Sequence, residues 1–190
     1  MKCLLCEEFS LSHICKNCQK NYLTPSLYKR KITDNIEVVS FYEYSSIKDL
    51  IHTKHTDIGF YIYNILAQNS FKKFGENFHF VHQVASIGVD DTPKYGYSHT
   101  AILNKYLKSN FIHPLYNKLR AKNNISYANK SKEFRQTHPR DFVLQTFVEQ
   151  DVILVDDIIT TGSTLSQAIN TLKQANKNPL LCLTLADASS

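Results

Sequence analysis

No apolar run in these 190 residues reaches the length of a membrane span, so any contact with a lipid surface would have to be peripheral. Internal repeats and low-complexity tracts are absent as well, which removes repeat architectures from consideration. The Gly-x-x-x-x-Gly-Lys-Ser/Thr loop of nucleoside triphosphatases does not occur. No secretory signal precedes the first cysteines, so a reducing, cytoplasmic compartment is expected. What remains is a hydrophobic fraction of 43%, enough for one α/β domain with a short appendage, and a net charge of +5 that favours an anionic partner without identifying it.

Residues 152–165 carry the most information. Val152, Ile153, Leu154 and Val155 read as a strand covered on both faces. Asp156 and Asp157 then fall at its carboxyl end, where open α/β sheets bind ligands. Thr160, Thr161, Gly162, Ser163 and Thr164 follow, with a glycine free to take positive φ and hydroxyl residues suited to a helix start. Backbone N–H groups and a helix dipole at that place favour an anion the size of a phosphate. Two adjacent carboxylates suit vicinal ribose hydroxyls with Mg²⁺ close by.

This arrangement resembles the signature of the type I phosphoribosyltransferases, which bind 5-phosphoribosyl-1-pyrophosphate (PRPP). The resemblance implies that Asp156 and Asp157 hold the ribose hydroxyls, and through PRPP the Mg²⁺, while Thr160 to Thr164 wrap the 5-phosphate.

At the other end stand Cys3-Leu4-Leu5-Cys6 and Cys15-Lys16-Asn17-Cys18. Two C-x-x-C pairs are the usual construction of a four-thiolate zinc site, here with Cys3, Cys6, Cys15 and Cys18 as ligands of a structural Zn²⁺. A redox dithiol or disulfides are the competing uses. His13 lies inside the loop and is expected to be solvated, and Cys182, in the apolar run 180–185, is expected in the core.

Along the chain the cysteine module occupies 1–20, a linker with Pro25 and the basic run Lys29-Arg30-Lys31 occupies 21–35, and one domain fills 36–190. Strands are expected over 36–44, 78–87, 111–115, 152–155 and 180–185, and helices over 47–51, 58–67, 97–108 and 164–175. This alternation predicts a doubly wound parallel α/β sheet with the signature near its middle. The stretch 116–140 reads as a long polar loop holding Lys118, Arg120, Lys122, Lys130, Lys132, Arg135 and Arg140 against the single acid Glu133. With Tyr116, Tyr127 and Phe134 interleaved, it suits a nucleic-acid backbone with base stacking, or a catalytic loop closing over pyrophosphate, or simply a solvated basic loop.

Taken in order, the four-cysteine module, a Tyr-x-Tyr strand followed by Ile47-Lys48-Asp49-Leu50-Ile51-His52-Thr53-Lys54, Gly96-Tyr97, the basic stretch and the PRPP signature resemble the ComF family with its GntX-like relatives. Where that family tends to have Arg-Gly-Phe-Asn-Gln, this chain has Tyr95-Gly96-Tyr97-Ser98-His99, with Lys94 adjacent as a substitute point charge. The resemblance implies a type I phosphoribosyltransferase-like domain with an N-terminal zinc module. It further implies a competence protein that binds single-stranded DNA during natural transformation, works with other competence proteins, and is cytoplasmic with peripheral association at the inner membrane. Lys94, Arg120, Lys122, Lys130, Lys132 and Arg135 are the candidates for pyrophosphate or DNA phosphates. The alternatives are phosphoribosyl transfer to a base or amine, for which no acceptor pocket or catalytic residue is legible, and a PRPP-sensing regulator.

Overall fold

The computed structural model describes residues 1–90, 92–93, 96–122 and 140–189. Among these, β1 (Tyr28–Lys31), β2 (Glu37–Glu43), β3 (Val84–Val89), β4 (Ile112–Ala121), β5 (Phe142–Leu144), β6 (Asp151–Ile159) and β7 (Asn178–Asp187) form one sheet. Its order is β1-β2-β7-β6-β3-β4-β5, so the strand that ends in the paired acids is central. The inner pairings are parallel, and β1 and β5 run antiparallel at the two edges. The helices are α1 (Lys16–Tyr22), α2 (Tyr44–His52), α3 (Asp57–Asn69), α4 (Phe71–Asn77), α5 (His99–Lys105) and α6 (Ser163–Gln174). None of the described helices is long and apolar enough to cross a membrane.

The continuous apolar run of β6 is explained by cover on both faces. Ile153 and Val155 pack in one cluster with Ile51, Ile62, Leu66 and Leu103 from α2, α3 and α5. Val152 and Leu154 pack in the other with Leu165, Ala168, Ile169 and Leu172 of α6. Each fully buried Val, Leu or Ile among these contributes about 1.5–3 kcal/mol of transfer free energy. The sheet is therefore doubly wound, as its sequence alternation predicts.

The chain leaves β3 through α5 to reach β4 on one side, and leaves β6 through α6 to reach β7 on the other. Crossovers diverging from neighbouring strands open a crevice at their carboxyl ends, the topological switch point of open α/β sheets. Asp156 and the loop after it lie there.

The N-terminal segment joins the same packing: Cys3, Ile14, Cys18 and Leu23 are buried in the cluster that holds Ile51, Ile62 and Leu66. Gln19 Oε1 accepts from Asn69 Nδ2 at 3.1 Å, and the Tyr42 hydroxyl donates to Leu23 O at 3.2 Å. The stretch read as a linker contains β1, hydrogen-bonded to β2 from Tyr28↔Ser40 to Lys31↔Glu37.

Several sequence expectations need correction. The strand expected over 78–87 begins only at Val84, because Phe78 and Phe80 stack on each other and Phe78 stacks on Phe74 of α4 instead of alternating across a sheet. The helix expected over 97–108 is shorter, since Gly96 takes φ 84° and the Ser98 hydroxyl caps α5 by accepting from Ala101 N at 3.1 Å. Residues 116–121, read as loop, extend β4, which pairs with β5 through Leu119↔Leu144 and Arg120↔Val143.

Candidate functional site

The loop after β6 turns on Gly162, whose φ of 79° and ψ of 0° place it in the left-handed region immediately before α6. A Cβ there would also stand 3.1 Å from Ile32 Cγ2, so both the backbone sign and the close approach call for glycine. Thr161 and Ser163 share a hydrogen bond at 2.8 Å between their hydroxyls. Asp156 and residues 158–165 line one small cavity against which the first turn of α6 opens. The first N–H groups of a helix have no intrahelical acceptor, so this cavity presents donors and the positive end of the helix dipole. Arg30 closes the loop from behind: its Nε lies 2.8 Å from Asp187 Oδ2, and its guanidinium also donates to Thr160 O and to Ser189 Oγ.

The two acids, adjacent in sequence, have different partners. Asp157 is buried, and its Oδ2 accepts from Lys54 Nζ at 2.7 Å and from the Tyr63 hydroxyl at 3.2 Å, with His99 Nε2 at 3.6 Å. Its Oδ1 accepts from Ile158 N at 2.9 Å. Burial alone would raise this carboxyl, but the Lys54 and His99 charges and the Lys54 and Tyr63 hydrogen bonds outweigh it and hold Asp157 far below the usual carboxylate range. Asp156 is half-buried and lines the loop cavity; burial and the neighbouring Asp157 charge push its carboxyl up. Lys54 is raised in turn, because Asp157 more than offsets the cost of its own burial.

Lys54 is placed by its backbone. The Tyr97 hydroxyl donates to Lys54 O at 2.9 Å, and Gly59 lets α3 approach so closely that a Cβ would lie 2.1 Å from Thr53 O and 2.2 Å from the Tyr97 hydroxyl. Gly59→Ala is expected to destabilise the chain by about 1–3 kcal/mol, as overpacking does. An unchanged urea midpoint would show that Lys54 is not held in this way.

Of the residues singled out from sequence, Asp156 and Thr160 to Thr164 come together around the cavity, and Asp157 lies beside them in the Lys54 network. Arg120 and Lys122 are exposed at the end of β4, where Arg120 donates to Asn117 Oδ1 at 2.5 Å. Lys94, Lys130, Lys132 and Arg135 lie outside the described residues. Arg140 pairs with Asp90 at 3.0 Å. Sequence reasoning missed Arg30 and Lys54. Arg30 falls on the half-buried face of β1, but three basic residues in a row give no sequence signal for that, and nothing local marks Lys54 as the partner of an acid 103 residues away.

The four cysteine sulfurs Cys3, Cys6, Cys15 and Cys18 all lie within 4.8 Å of one another. Cys6 and Cys15 Sγ are 3.8 Å apart, which matches the edge of a tetrahedron with metal–sulfur bonds of about 2.3 Å. Backbone N–H groups turn toward the sulfurs, Cys15 N to Cys3 Sγ at 3.3 Å and Cys18 N to Cys15 Sγ at 3.4 Å. The donor set therefore fits a metal ion. His13 stands apart from it, stacked on Tyr61 with ring centroids 4.6 Å apart, and Cys182 is buried in β7.

No family model and no curated protein matches this chain. Solved structures do. A hypoxanthine phosphoribosyltransferase from Staphylococcus aureus aligns at 16% identity and a TM-score of 0.42 over 66% of this chain and 62% of that one. An adenine phosphoribosyltransferase aligns at 18% identity and a TM-score of 0.44 over 90% of this chain and 88% of that one. The adenine phosphoribosyltransferase of Saccharomyces cerevisiae, solved with an imino-altritol bisphosphate and adenine, aligns at 16% identity and a TM-score of 0.43 over 86% and 85%. The chain thus spans less than two thirds of the first of these proteins. The α/β fold of this chain is given by its own strand order and helix placement.

Proposed function

We propose that the crevice at the end of β6 binds PRPP with Mg²⁺, and that the protein is a ComF-like competence factor that handles single-stranded DNA during uptake. The observation that carries the ligand is the left-handed Gly162 opening α6 against a cavity that also contains Asp156. Loop N–H groups and the Thr161 and Ser163 hydroxyls take the 5-phosphate, and Asp156 accepts from the ribose hydroxyls. Asp157 is the second ribose carboxylate, reaching the sugar when Lys54 releases it. Mg²⁺ bound with the pyrophosphate supplies charge neutralisation. A Zn²⁺ held by Cys3, Cys6, Cys15 and Cys18 braces the N-terminal segment against α3.

Support for DNA comes from charge: Arg120 and Lys122 stand exposed where β4 leads into residues 123–139, whose sequence adds Lys130, Lys132 and Arg135. Other competence proteins and the inner membrane surface are the further partners of this reading. The test is fluorescence anisotropy of a labelled single-stranded oligonucleotide, with and without PRPP and Mg²⁺. Affinity is expected to fall by at least about tenfold between 50 and 200 mM salt, as release of counterions from several phosphates requires. It is also expected to fall when Arg120, Lys132 and Arg135 are changed together to Ala. Undiminished binding by that variant would sink the DNA surface. Pyrophosphate release that depends on an added base or amine would replace this reading with an active transferase.

A further inference from the structure

A second cavity, of about 720 Å³, lies on the sheet face that carries α3 and α4 and shares no residue with the loop cavity. Pro25, Leu27, Phe41, Phe74 and Phe78 give it apolar walls. The rings are ordered against one another: Phe74 and Phe78 stack at 5.7 Å with 28° between planes, and Phe41 meets Phe74 edge-on at 6.1 Å. That volume and lining are those of small-molecule sites, which join an apolar body to a few convergent polar groups.

The polar groups are one-sided. Among the described residues Lys73 and His79 line the cavity and no Asp or Glu does; Glu76, the acid on this part of α4, sits 3.8 Å from Lys72 in an exposed ion pair. A cationic ligand would meet like charge at this rim, and a neutral one would leave its charge unused. We propose that the pocket binds a small monocarboxylate with an apolar body, the carboxylate at Lys73 and His79 and the body between Leu27 and the phenylalanines. Nothing in this site depends on the PRPP reading.

The experiment uses the full chain and 8-anilinonaphthalene-1-sulfonate, an apolar aromatic anion whose fluorescence reports burial. Saturable one-site binding is expected, with displacement by decanoate and at least about fivefold weaker displacement by decanamide, the scale of one partly solvated ion pair. Lys73→Glu should weaken the dye and decanoate by a similar factor while Lys73→Arg retains both. If Lys73→Glu lost its circular dichroism signal, His79→Glu would give the same readout. Non-saturable dye binding, failure of decanoate to compete, equal displacement by the amide, or charge reversal without effect would each overturn the proposal.

Discussion

Replacing Cys3 by Ser is expected to release the proposed Zn²⁺ and loosen everything before β1. Cys3 is 1% exposed and belongs to the core cluster with Ile14, Cys18 and Leu23, so under the zinc reading proposed above its sulfur serves both as a ligand and as a packing group. Metal binding at such a site is folding free energy, with apparent values of about 10–16 kcal/mol for zinc-finger peptides. A serine oxygen supplies neither the thiolate charge nor the sulfur volume. Zinc released to a chromogenic chelator, and amide exchange across residues 1–23, would read the two effects together. Purified reduced protein containing no zinc would return the cysteines to redox chemistry. Retention of a full equivalent by the variant would remove Cys3 from the ligand set.

The second large effect separates the two acids. Asp156→Asn should lower PRPP·Mg²⁺ affinity by more than about tenfold, because the amide cannot become the charged acceptor that the ribose and Mg²⁺ call for, and leave stability nearly level at neutral pH, where the raised Asp156 carboxyl is already mostly protonated. Asp157→Asn should cost about 3 kcal/mol of stability, since it strands a largely buried Lys54 ammonium. Combining it with Lys54→Met should recover much of that loss. Calorimetric titration with PRPP and urea denaturation of each variant check both halves. Equal stability of the two single variants would refute the division of roles.

The pH dependence has opposite signs for the two groups. Asp157, depressed in the folded state, contributes stability that is present above the ordinary carboxylate value and is lost as pH falls toward its folded one. Asp156, raised in the folded state, contributes stability present below the ordinary carboxylate value and lost as pH rises through its folded one.

The parts of this fold that were legible in sequence are those whose signal is local. Val152 to Val155 announce a two-sided strand by composition, Gly162 and its hydroxyl neighbours announce the turn into α6, and the cysteine spacing announces the sulfur cluster. The misreadings arose where local pattern and tertiary use differ. Phe78-His79-Phe80 alternates like a strand but packs ring on ring, and residues 116–121 are polar enough to read as loop although they extend β4. Asp157 lay in the sharpest motif of the chain, yet its partners Lys54, Tyr63 and His99 come from three separate segments, and no spacing rule joins them.

Strand order also fixes a timetable. β2 carries β1 on one side and on the other pairs with β7, Ser40 meeting Thr184 across 144 residues of chain. During synthesis β1 and β2 emerge early as a two-stranded ribbon, marginal by itself, that must wait for β7 before it joins the sheet. The cysteine cluster, in contrast, closes within sixteen residues, from Cys3 to Cys18. If the cluster takes the proposed Zn²⁺, its loading can therefore come first and closure of the sheet last, with the waiting interval being when an unpaired strand edge is open to the wrong neighbour.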